Sequence, residues 1–260
     1  MEIVPTERPN AYVLRVDGAD QSHVDLDDPT RLEFDYVRRM GDVLDARMPG
    51  GEPLRIVHVG GAAMTLPRYV ATTRPRSSQI VLEPAAELTE LVRSELPLPR
   101  RSGIKVRPVH GRAGAAELRE DSADVVILDA FDGARVPADL VTTEYFTSVS
   151  RALTDSGWFL LNLTDRAPFA WTRRVIAGLR TVFAELMVSA EPATLRGRRF
   201  GNLLVVTSRA SVPVTSLRQR AASSAAPYRV LDAGQVSSSL GGGMPFTDDD
   251  TRPSPLPQDR

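Results

Sequence analysis

Hydrophobic and polar positions alternate in two ways near the start of the chain. Residues 11–25, AYVLRVDGADQSHVD, alternate apolar and polar side chains and turn at Asp17-Gly18, which predicts a β-hairpin. Between Pro29 and Met48 the apolar residues recur every three or four positions, which predicts a helix that Asp28 caps and Pro29 opens. We therefore expect a small N-terminal β element followed by an amphipathic helix.

From residue 54 onward the chain repeats an apolar segment followed by an amphipathic one. The apolar segments are LRIVHVG, QIVLE, IKVRPV, DVVILDA and WFLLNL, and helical patterns begin near Thr65, Pro84, Ala113, Thr142 and Phe169. Apolar strands that alternate with helices indicate a parallel sheet covered on both faces. The segments LMVSA and LLVVTS, joined by RGRRFGN, predict an antiparallel edge pair. The predicted fold is α/β, with a doubly wound, mostly parallel, seven-stranded sheet.

The periodic pattern weakens after Ser208. We divide the chain into an N-terminal β element (1–28), a doubly wound domain (29–210), an extension with a short helix (211–240) and a tail (241–260). The tail, GGGMPFTDDDTRPSPLPQDR, is rich in glycine, proline and aspartate, and we predict that it is disordered.

The composition narrows the range of functions. A hydrophobic content of 42% and a net charge of −1 give no reason to expect nucleic acid or a membrane as a partner, so a small molecule is the expected ligand. No apolar segment approaches the roughly 20 residues that span a bilayer, and the N-terminus lacks signal-peptide features, so we expect a cytoplasmic protein. With no cysteine and three widely separated histidines, no metal site is predicted.

Ligands of an open parallel sheet bind beyond the carboxyl ends of its strands. Gly60 and Gly61 follow the first such strand, where they either let the backbone approach a ligand or only form a tight turn. Glu83 ends the second strand, where a carboxylate either accepts hydrogen bonds from both ribose hydroxyls or caps the helix after Pro84. Because the first loop is not a full GxGxxG, ligands of the S-adenosylmethionine type fit better than NAD.

Two more loops carry candidate residues. In VHGRAG, after the third strand, His110 or Arg112 either contacts the base of a nucleoside or is a solvated loop residue. In DAFDG, after the fourth strand, Asp129 and Asp132 could bind an amine cation and take a proton from it. The alternative is a turn whose geometry Asp132-Gly133 supplies.

These motifs together resemble the spermidine synthase family, whose aminopropyltransferases are built on the class I methyltransferase fold. The resemblance runs from about Val13 to Ser208. VDGADQS resembles the family's LDGxxQ hairpin, IVHVGGAAMTLPRYV its GGGDGGTLRE loop, and IVLEP its VEID segment. The strongest match is DVVILDAFDGARVPADLVTTEYF, which resembles DVIIxDxxDP and the helix that follows it.

The resemblance implies a small N-terminal β-domain on a Rossmann-like nucleoside-binding domain. It implies that decarboxylated S-adenosylmethionine donates an aminopropyl group, with Gly60 and Gly61 approaching the nucleoside and Glu83 holding the ribose. It further implies that Asp129 deprotonates the attacking amine and that Asp132 helps to bind it.

The resemblance also implies roles for three further residues. His110 and Gly111 stand where the adenine is bound, and Gln21 stands in the hairpin motif, where we assign it to substrate binding. Family members often pair through the N-terminal β element, so a homodimer is expected.

Several polar contacts of the family are replaced in this chain. Ala62 and Ala63 stand at a glycine and at the aspartate that holds the donor's amine, and Gly111 replaces an aspartate that binds adenine. Leu195 replaces a substrate-binding tyrosine, and the RLEFDY region replaces a Tyr-His or Tyr-Gln pair. Each lost contact costs on the order of 1.5–3 kcal/mol, so we expect an acceptor other than putrescine.

Three hypotheses follow. The first is a spermidine synthase-like transferase that uses decarboxylated S-adenosylmethionine or S-adenosylmethionine and an amine acceptor. The second is a methyltransferase, for which Arg68 is the one nearby basic residue that could hold the donor carboxylate. The third is a non-catalytic binding or assembly module, in which the apolar loop GGAAMTLP fills the nucleoside cavity.

Overall fold

The structure, a computed structural model, describes residues 1–257. It divides into two compact units, unit 1 from Met1 to Gly111 and unit 2 from Arg112 onward. Within residues 1–257 no helix is both long and apolar enough to cross a membrane.

Unit 1 opens with a three-stranded antiparallel sheet. Its strands are β1 (Glu2–Pro5), β2 (Ala11–Val16) and β3 (Ala19–Asp25), in that order. The β2–β3 hairpin turns at Asp17 and Gly18, both with positive φ, as a tight two-residue turn requires. The predicted hairpin is confirmed, and β1 is a further strand on its edge.

The first helix is shorter than predicted. Helix α1 spans Asp35–Arg47, and its buried apolar residues include Val37, Met40, Val43 and Leu44. The predicted start at Pro29 is wrong, because the Asp28 carboxylate accepts a hydrogen bond from the Thr30 N–H at 3.1 Å and closes a local turn. Asp28 therefore does not cap α1.

The rest of unit 1 alternates strands and helices as predicted. Its elements are β4 (Arg55–Val59), α2 (Thr65–Thr73), β5 (Ser78–Leu82), α3 (Ala86–Glu95) and β6 (Ile104–Arg107). The three strands are parallel, in the order β4-β5-β6. Their carboxyl ends therefore share one edge, where the loops at Gly60, Glu83 and residues 108–111 follow.

Unit 2 contains five strands of mixed direction. Its elements are α4 (Gly111–Ala116), β7 (Ala123–Leu128), α5 (Thr143–Ala152), β8 (Leu153–Asp165), α6 (Ala170–Val182), β9 (Glu185–Ala190), α7 (Pro192–Leu195), β10 (Gly201–Ser208), α8 (Val214–Ser223), β11 (Arg229–Leu231) and α9 (Ala233–Leu240). Strands β7 and β8 are parallel, and β10 lies between β8 and β9, antiparallel to both.

The predicted antiparallel pair is β9 and β10, but neither is the outermost strand. Strand β11, within the predicted extension, pairs with β9 and forms the edge. The seven predicted strands are all present among residues 1–257, three in unit 1 and four in unit 2, and β11 is a further strand. The α/β class with a doubly wound, mostly parallel sheet is confirmed.

Residues 241–257, which belong to the tail predicted to be disordered, pack against unit 2. The side chain of Phe246 is fully buried. The Arg174 guanidinium lies 4.0 Å from the centre of the Phe246 ring, and the ring of Trp171 lies 6.1 Å from it. The disorder prediction is wrong for this segment, because the burial of its aromatic side chain outweighs its polar composition.

Ser254 holds the same segment further along. Its N–H donates to the Val136 carbonyl at 3.1 Å, and its hydroxyl accepts from the Val136 N–H at 2.9 Å. Its hydroxyl also lies 3.2 Å from that of Thr164 on β8. Residues 258–260 of the predicted tail lie outside the described residues.

Candidate functional site

Glu83 organises the loop that follows β4. One of its carboxylate oxygens accepts hydrogen bonds from the Gly61 N–H at 2.9 Å and the Ala62 N–H at 3.4 Å. The other accepts from the Ala85 N–H at 3.0 Å, just before α3. The oxygen that accepts from Ala85 keeps a further lone pair, so Glu83 can serve the loop and still accept a hydrogen bond from one ribose hydroxyl.

The glycine pair has a structural reason of its own. Gly60 has φ +93, a conformation that favours glycine. A Cβ on Gly61 would lie 2.9 Å from a methyl of Val81, 3.0 Å from the Met64 terminal methyl and 3.3 Å from the Glu83 Cβ. Both glycines are therefore needed for the turn and its packing, with or without a nucleoside.

The loop after the glycines is apolar and largely buried. Ala63 and Met64 are at most 1% exposed and pack in a hydrophobic cluster with Val81 of β5, Val92 of α3 and Leu96, which directly follows α3. Ala63, which stands where the resemblance expects the aspartate that holds the donor's amine, is thus part of the hydrophobic core. The Met64 side chain occupies the space directly beside Gly61.

Strand β3 supports this loop through two residues that sequence reasoning missed. The Ser22 hydroxyl accepts a hydrogen bond from the Ala63 N–H at 3.3 Å, and the His23 carbonyl accepts from the Thr65 hydroxyl at 2.9 Å. Gln21, the predicted substrate-binding residue, precedes Ser22 on the strand and is partly exposed. The sequence signal for this contact was the motif VDGADQS, which contains both Gln21 and Ser22.

The loop after β6 separates its candidate residues. His110 is exposed, whereas Gly111 is buried at the start of α4. Arg112 donates to the Thr142 hydroxyl at 2.7 Å and pairs with Asp248. Arg112 is therefore committed to the packing of unit 2, and His110 is the polar side chain of this loop that remains exposed.

Asp129 lies immediately after β7 in a partly buried position. Its carboxylate accepts a hydrogen bond from the Asn162 amide of β8 at 2.9 Å. Burial raises the pKa of Asp129 to about 6, although the hydrogen bond from Asn162 opposes the rise. An acid with such a pKa is a stronger base than an ordinary carboxylate and is still ionised at neutral pH.

The side-chain amide of Asn202 fixes the orientation of the Asn162 amide. Asn202 of β10 donates from its side chain to the Asn162 side-chain oxygen at 3.0 Å, so the Asn162 amino group faces Asp129. Sequence reasoning missed both asparagines as site residues. The available signal was a polar residue near the carboxyl end of the apolar strand WFLLNL.

Asp132 lies in a tight hairpin turn of the loop after β7. Its N–H and carbonyl exchange hydrogen bonds of 2.8 and 3.0 Å with Arg135. Gly133 and Ala134, between them, have φ +52 and +64, as a type I′ turn requires. The Asp132 side chain is exposed and has no hydrogen-bond or ion-pair partner among residues 1–257. It is therefore able to bind a cation from solution.

No protein-family model matches the sequence. The polyamine aminopropyltransferase of Chromobacterium violaceum is 25% identical over 206 residues, which cover 77% of this chain and 74% of that protein. The crystal structure of a probable spermidine synthase from Corynebacterium glutamicum is 29% identical, with a TM-score of 0.87, and covers 95% of this chain and 92% of its own.

A spermidine synthase in complex with the transition-state analogue AdoDATO is more distant. It covers 89% of this chain and 77% of its own, with a TM-score of 0.55 and 13% identity, which shows a shared fold alone. The chain resembles spermidine synthases in sequence and in fold, and the resemblance predicted from its motifs is confirmed.

Proposed function

We propose that the chain is a spermidine synthase-like transferase that moves an aminopropyl group from an S-adenosylmethionine-derived nucleoside to an amine other than putrescine. The observation that carries this proposal is Asp129, a partly buried carboxylate with a pKa of about 6 that an amide of β8 holds in place. A structural turn has no need of a carboxylate with a raised pKa. A base that takes a proton from an amine near neutral pH does.

The proposed step is a displacement at the carbon next to the donor's sulfonium. Asp129 takes a proton from the bound ammonium, and the freed lone pair forms the new N–C bond. The C–S bond breaks, and its electron pair neutralises the sulfur to give a thioether. Asp132 contributes attraction for the cationic amine, because its exposed carboxylate has no partner within residues 1–257.

The donor is proposed to bind unit 1 through Glu83, His110, Gly111 and the backbone at Gly60 and Gly61. The remaining lone pair of the Glu83 carboxylate supports the ribose role, although the carboxylate also holds the loop. We propose decarboxylated S-adenosylmethionine as the donor, with S-adenosylmethionine as the alternative. The spermidine synthase that binds AdoDATO supports a ligand of this class.

The acceptor is proposed to differ from putrescine because a recognition feature has changed. Leu195 stands at the position of a substrate tyrosine and cannot form its hydrogen bonds. Gln21, partly exposed on β3, is proposed to contact the substrate. We also propose a homodimer, which light scattering of the purified protein would test by its mass.

The buried loop favours a second candidate, a non-catalytic binding module. Ala63 and Met64 are part of a hydrophobic cluster, and three backbone N–H groups near the predicted nucleoside position already donate to Glu83. A loop that is complete without a ligand suits a protein that keeps the fold and has lost the donor.

The methyltransferase alternative required Arg68 to bind the carboxylate of S-adenosylmethionine, and the contacts of Arg68 argue against this role. The Arg68 side chain is 2% exposed and donates to the carbonyls of Ala63 at 3.2 Å, of Pro97 at 3.1 Å, and of Leu96. Its guanidinium is thus occupied by backbone oxygens and is not available to a donor carboxylate.

Calorimetry separates the first two candidates. We would titrate the protein with methylthioadenosine, S-adenosylmethionine and decarboxylated S-adenosylmethionine. Binding of at least one of them supports the transferase, whereas no binding of any would reject it and favour the module.

Turnover is then measured as release of methylthioadenosine from decarboxylated S-adenosylmethionine with a panel of diamines and polyamines. We expect Asp129→Asn to lower the rate on the order of a hundredfold or more, which is the usual contribution of a general base, with donor binding retained. Asp155→Asn, which removes a fully exposed carboxylate of β8, is the matched control. Equal rates for the two variants would exclude Asp129 as the base.

A further inference from the structure

Unit 2 contains a cavity at the outer edge of its sheet. It has a volume of about 620 Å³ and lies among the residues around α7, β11 and α9. Small-molecule sites in proteins usually have volumes of about 300–1,000 Å³, so this cavity is large enough for one. None of the residues predicted from the sequence to bind the donor or to act as base lines it.

Two arginines give the cavity its charge. Arg196 follows α7 and Arg229 opens β11, and both line the cavity. Neither guanidinium has a hydrogen-bond or ion-pair partner among residues 1–257. The acidic residue of the wall, Asp232, is paired with Arg218 and accepts the Gln235 N–H, so its charge is already compensated.

The rest of the wall combines hydroxyl and apolar groups. Ser238 and Ser239 contribute from α9, while Leu195, Leu231 and Leu240 contribute aliphatic surface. Guanidinium groups recognise carboxylates, sulfonates and phosphates, because their fixed N–H donors match the geometry of an oxyanion. Aliphatic groups beside them favour a ligand with an apolar body.

We infer that this cavity binds a small molecule that carries an oxyanion on an apolar body. Its charge distinguishes it from an acceptor site for polyamines, because two uncompensated guanidinium groups repel an ammonium. The inferred ligand is therefore opposite in charge to the proposed amine acceptor, and the cavity shares with the proposed acceptor site only Leu195, which stands at the position of a substrate tyrosine.

A pair of fluorescent probes tests this inference on the full chain. Anilinonaphthalene sulfonate carries an anion on an aromatic body, and phenylnaphthylamine is its uncharged counterpart. We expect the double variant R196Q/R229Q to weaken binding of the sulfonate about tenfold or more, since two charge-assisted contacts are lost, and to leave binding of the uncharged probe unchanged.

Arg93→Gln is the matched control, because Arg93 is exposed on α3 and lies outside the cavity. Sulfonate binding that is unchanged in R196Q/R229Q, or weakened equally in R93Q, would overturn the inference. So would an uncharged probe that binds as tightly as the sulfonate. Circular dichroism establishes that each variant is folded, so that a loss of binding reports on the cavity.

Discussion

The carboxylate of Glu83 and the backbone N–H of Gly61 are joined by a hydrogen bond of 2.9 Å between the loops that follow β5 and β4. The same carboxylate also accepts the Ala85 N–H at the start of the segment that leads into α3. The residue proposed to hold the ribose is therefore also a structural residue of unit 1. A change at this position is expected to affect stability before any ligand is added.

Replacing Glu83 by glutamine tests the structural role. A carboxylate offers acceptors to both loops, whereas the amino group of glutamine would face one of the N–H donors. We expect Glu83→Gln to lower the free energy of unfolding by about 1–3 kcal/mol, the cost of leaving a buried donor unsatisfied. Urea unfolding of the protein without ligand measures this loss.

Glu90→Gln is the control for the loss of a negative charge, because Glu90 is exposed on α3. We expect its free energy of unfolding to stay within about 0.5 kcal/mol of the wild type. If Glu83→Gln were equally neutral, the hydrogen bonds to the loop would not contribute to stability.

The fold and the candidate residues of the site could be proposed from the sequence, whereas the contacts between distant residues could not. Apolar strands and their spacing gave β4 to β10, and motif positions gave Glu83 and Asp129. The sequence did not reveal that Asn162 and Asn202 orient Asp129, because pairing between β8 and β10 brings together residues 40 positions apart. Nor did the composition of the tail reveal that Phe246 anchors it, because the burial of Phe246 depends on its packing against Trp171 and Arg174, which are distant in sequence.

Ala62 is strained by its backbone conformation, and glycine should relieve it. Ala62 has φ +40, a left-handed value that favours glycine. We expect Ala62→Gly to raise the free energy of unfolding by about 0.5–1 kcal/mol, as thermal and urea unfolding would show.

The same substitution within a helix provides the control. Ala71 lies in α2, where glycine is the weaker helix former, so Ala71→Gly should lower the free energy of unfolding by about 1 kcal/mol. Opposite signs at the two positions support strain at Ala62. A loss of stability in both variants would mean that the methyl group of Ala62 contributes more through packing than it costs in strain.

Phe246 should hold the C-terminal segment on unit 2. It is fully buried and contacts Arg174 and Trp171. We expect Phe246→Ala to lower the free energy of unfolding by about 3–4 kcal/mol, the usual cost of removing a buried aromatic ring. Met244→Ala, at a side chain that is 75% exposed, is the control and should be close to neutral.

Limited proteolysis gives a second measurement of the same contact. In the wild type we expect cleavage within residues 241–257 to be slow, because Ser254 and Phe246 fix the segment. Phe246→Ala should speed cleavage there before it affects the sheet. Rapid cleavage of this segment in the wild type would show that its packing is not maintained in solution.

The raised pKa of Asp129 makes stability depend on pH in a defined direction. Because its pKa is about 6 when folded and 3.8 ordinarily, the folded state favours the protonated acid. The protonated Asp129 therefore contributes fully to stability below pH 3.8, its pKa in the unfolded chain. This contribution is lost as the pH rises through about 6, its pKa in the folded protein. Asp129→Asn is always neutral and lacks this loss.

We therefore expect the stability of Asp129→Asn relative to the wild type to increase by about 2 kcal/mol between about pH 4 and pH 8, as urea unfolding at each pH would show. Asn162→Ala removes the hydrogen bond that opposes the rise in the pKa of Asp129. In that variant the pH at which the Asp129 contribution to stability is lost should therefore be higher. Parallel stability curves for Asp129→Asn and the wild type would mean that the Asp129 carboxylate is well solvated. The proposed base would then lose the property that suits it to an amine at neutral pH.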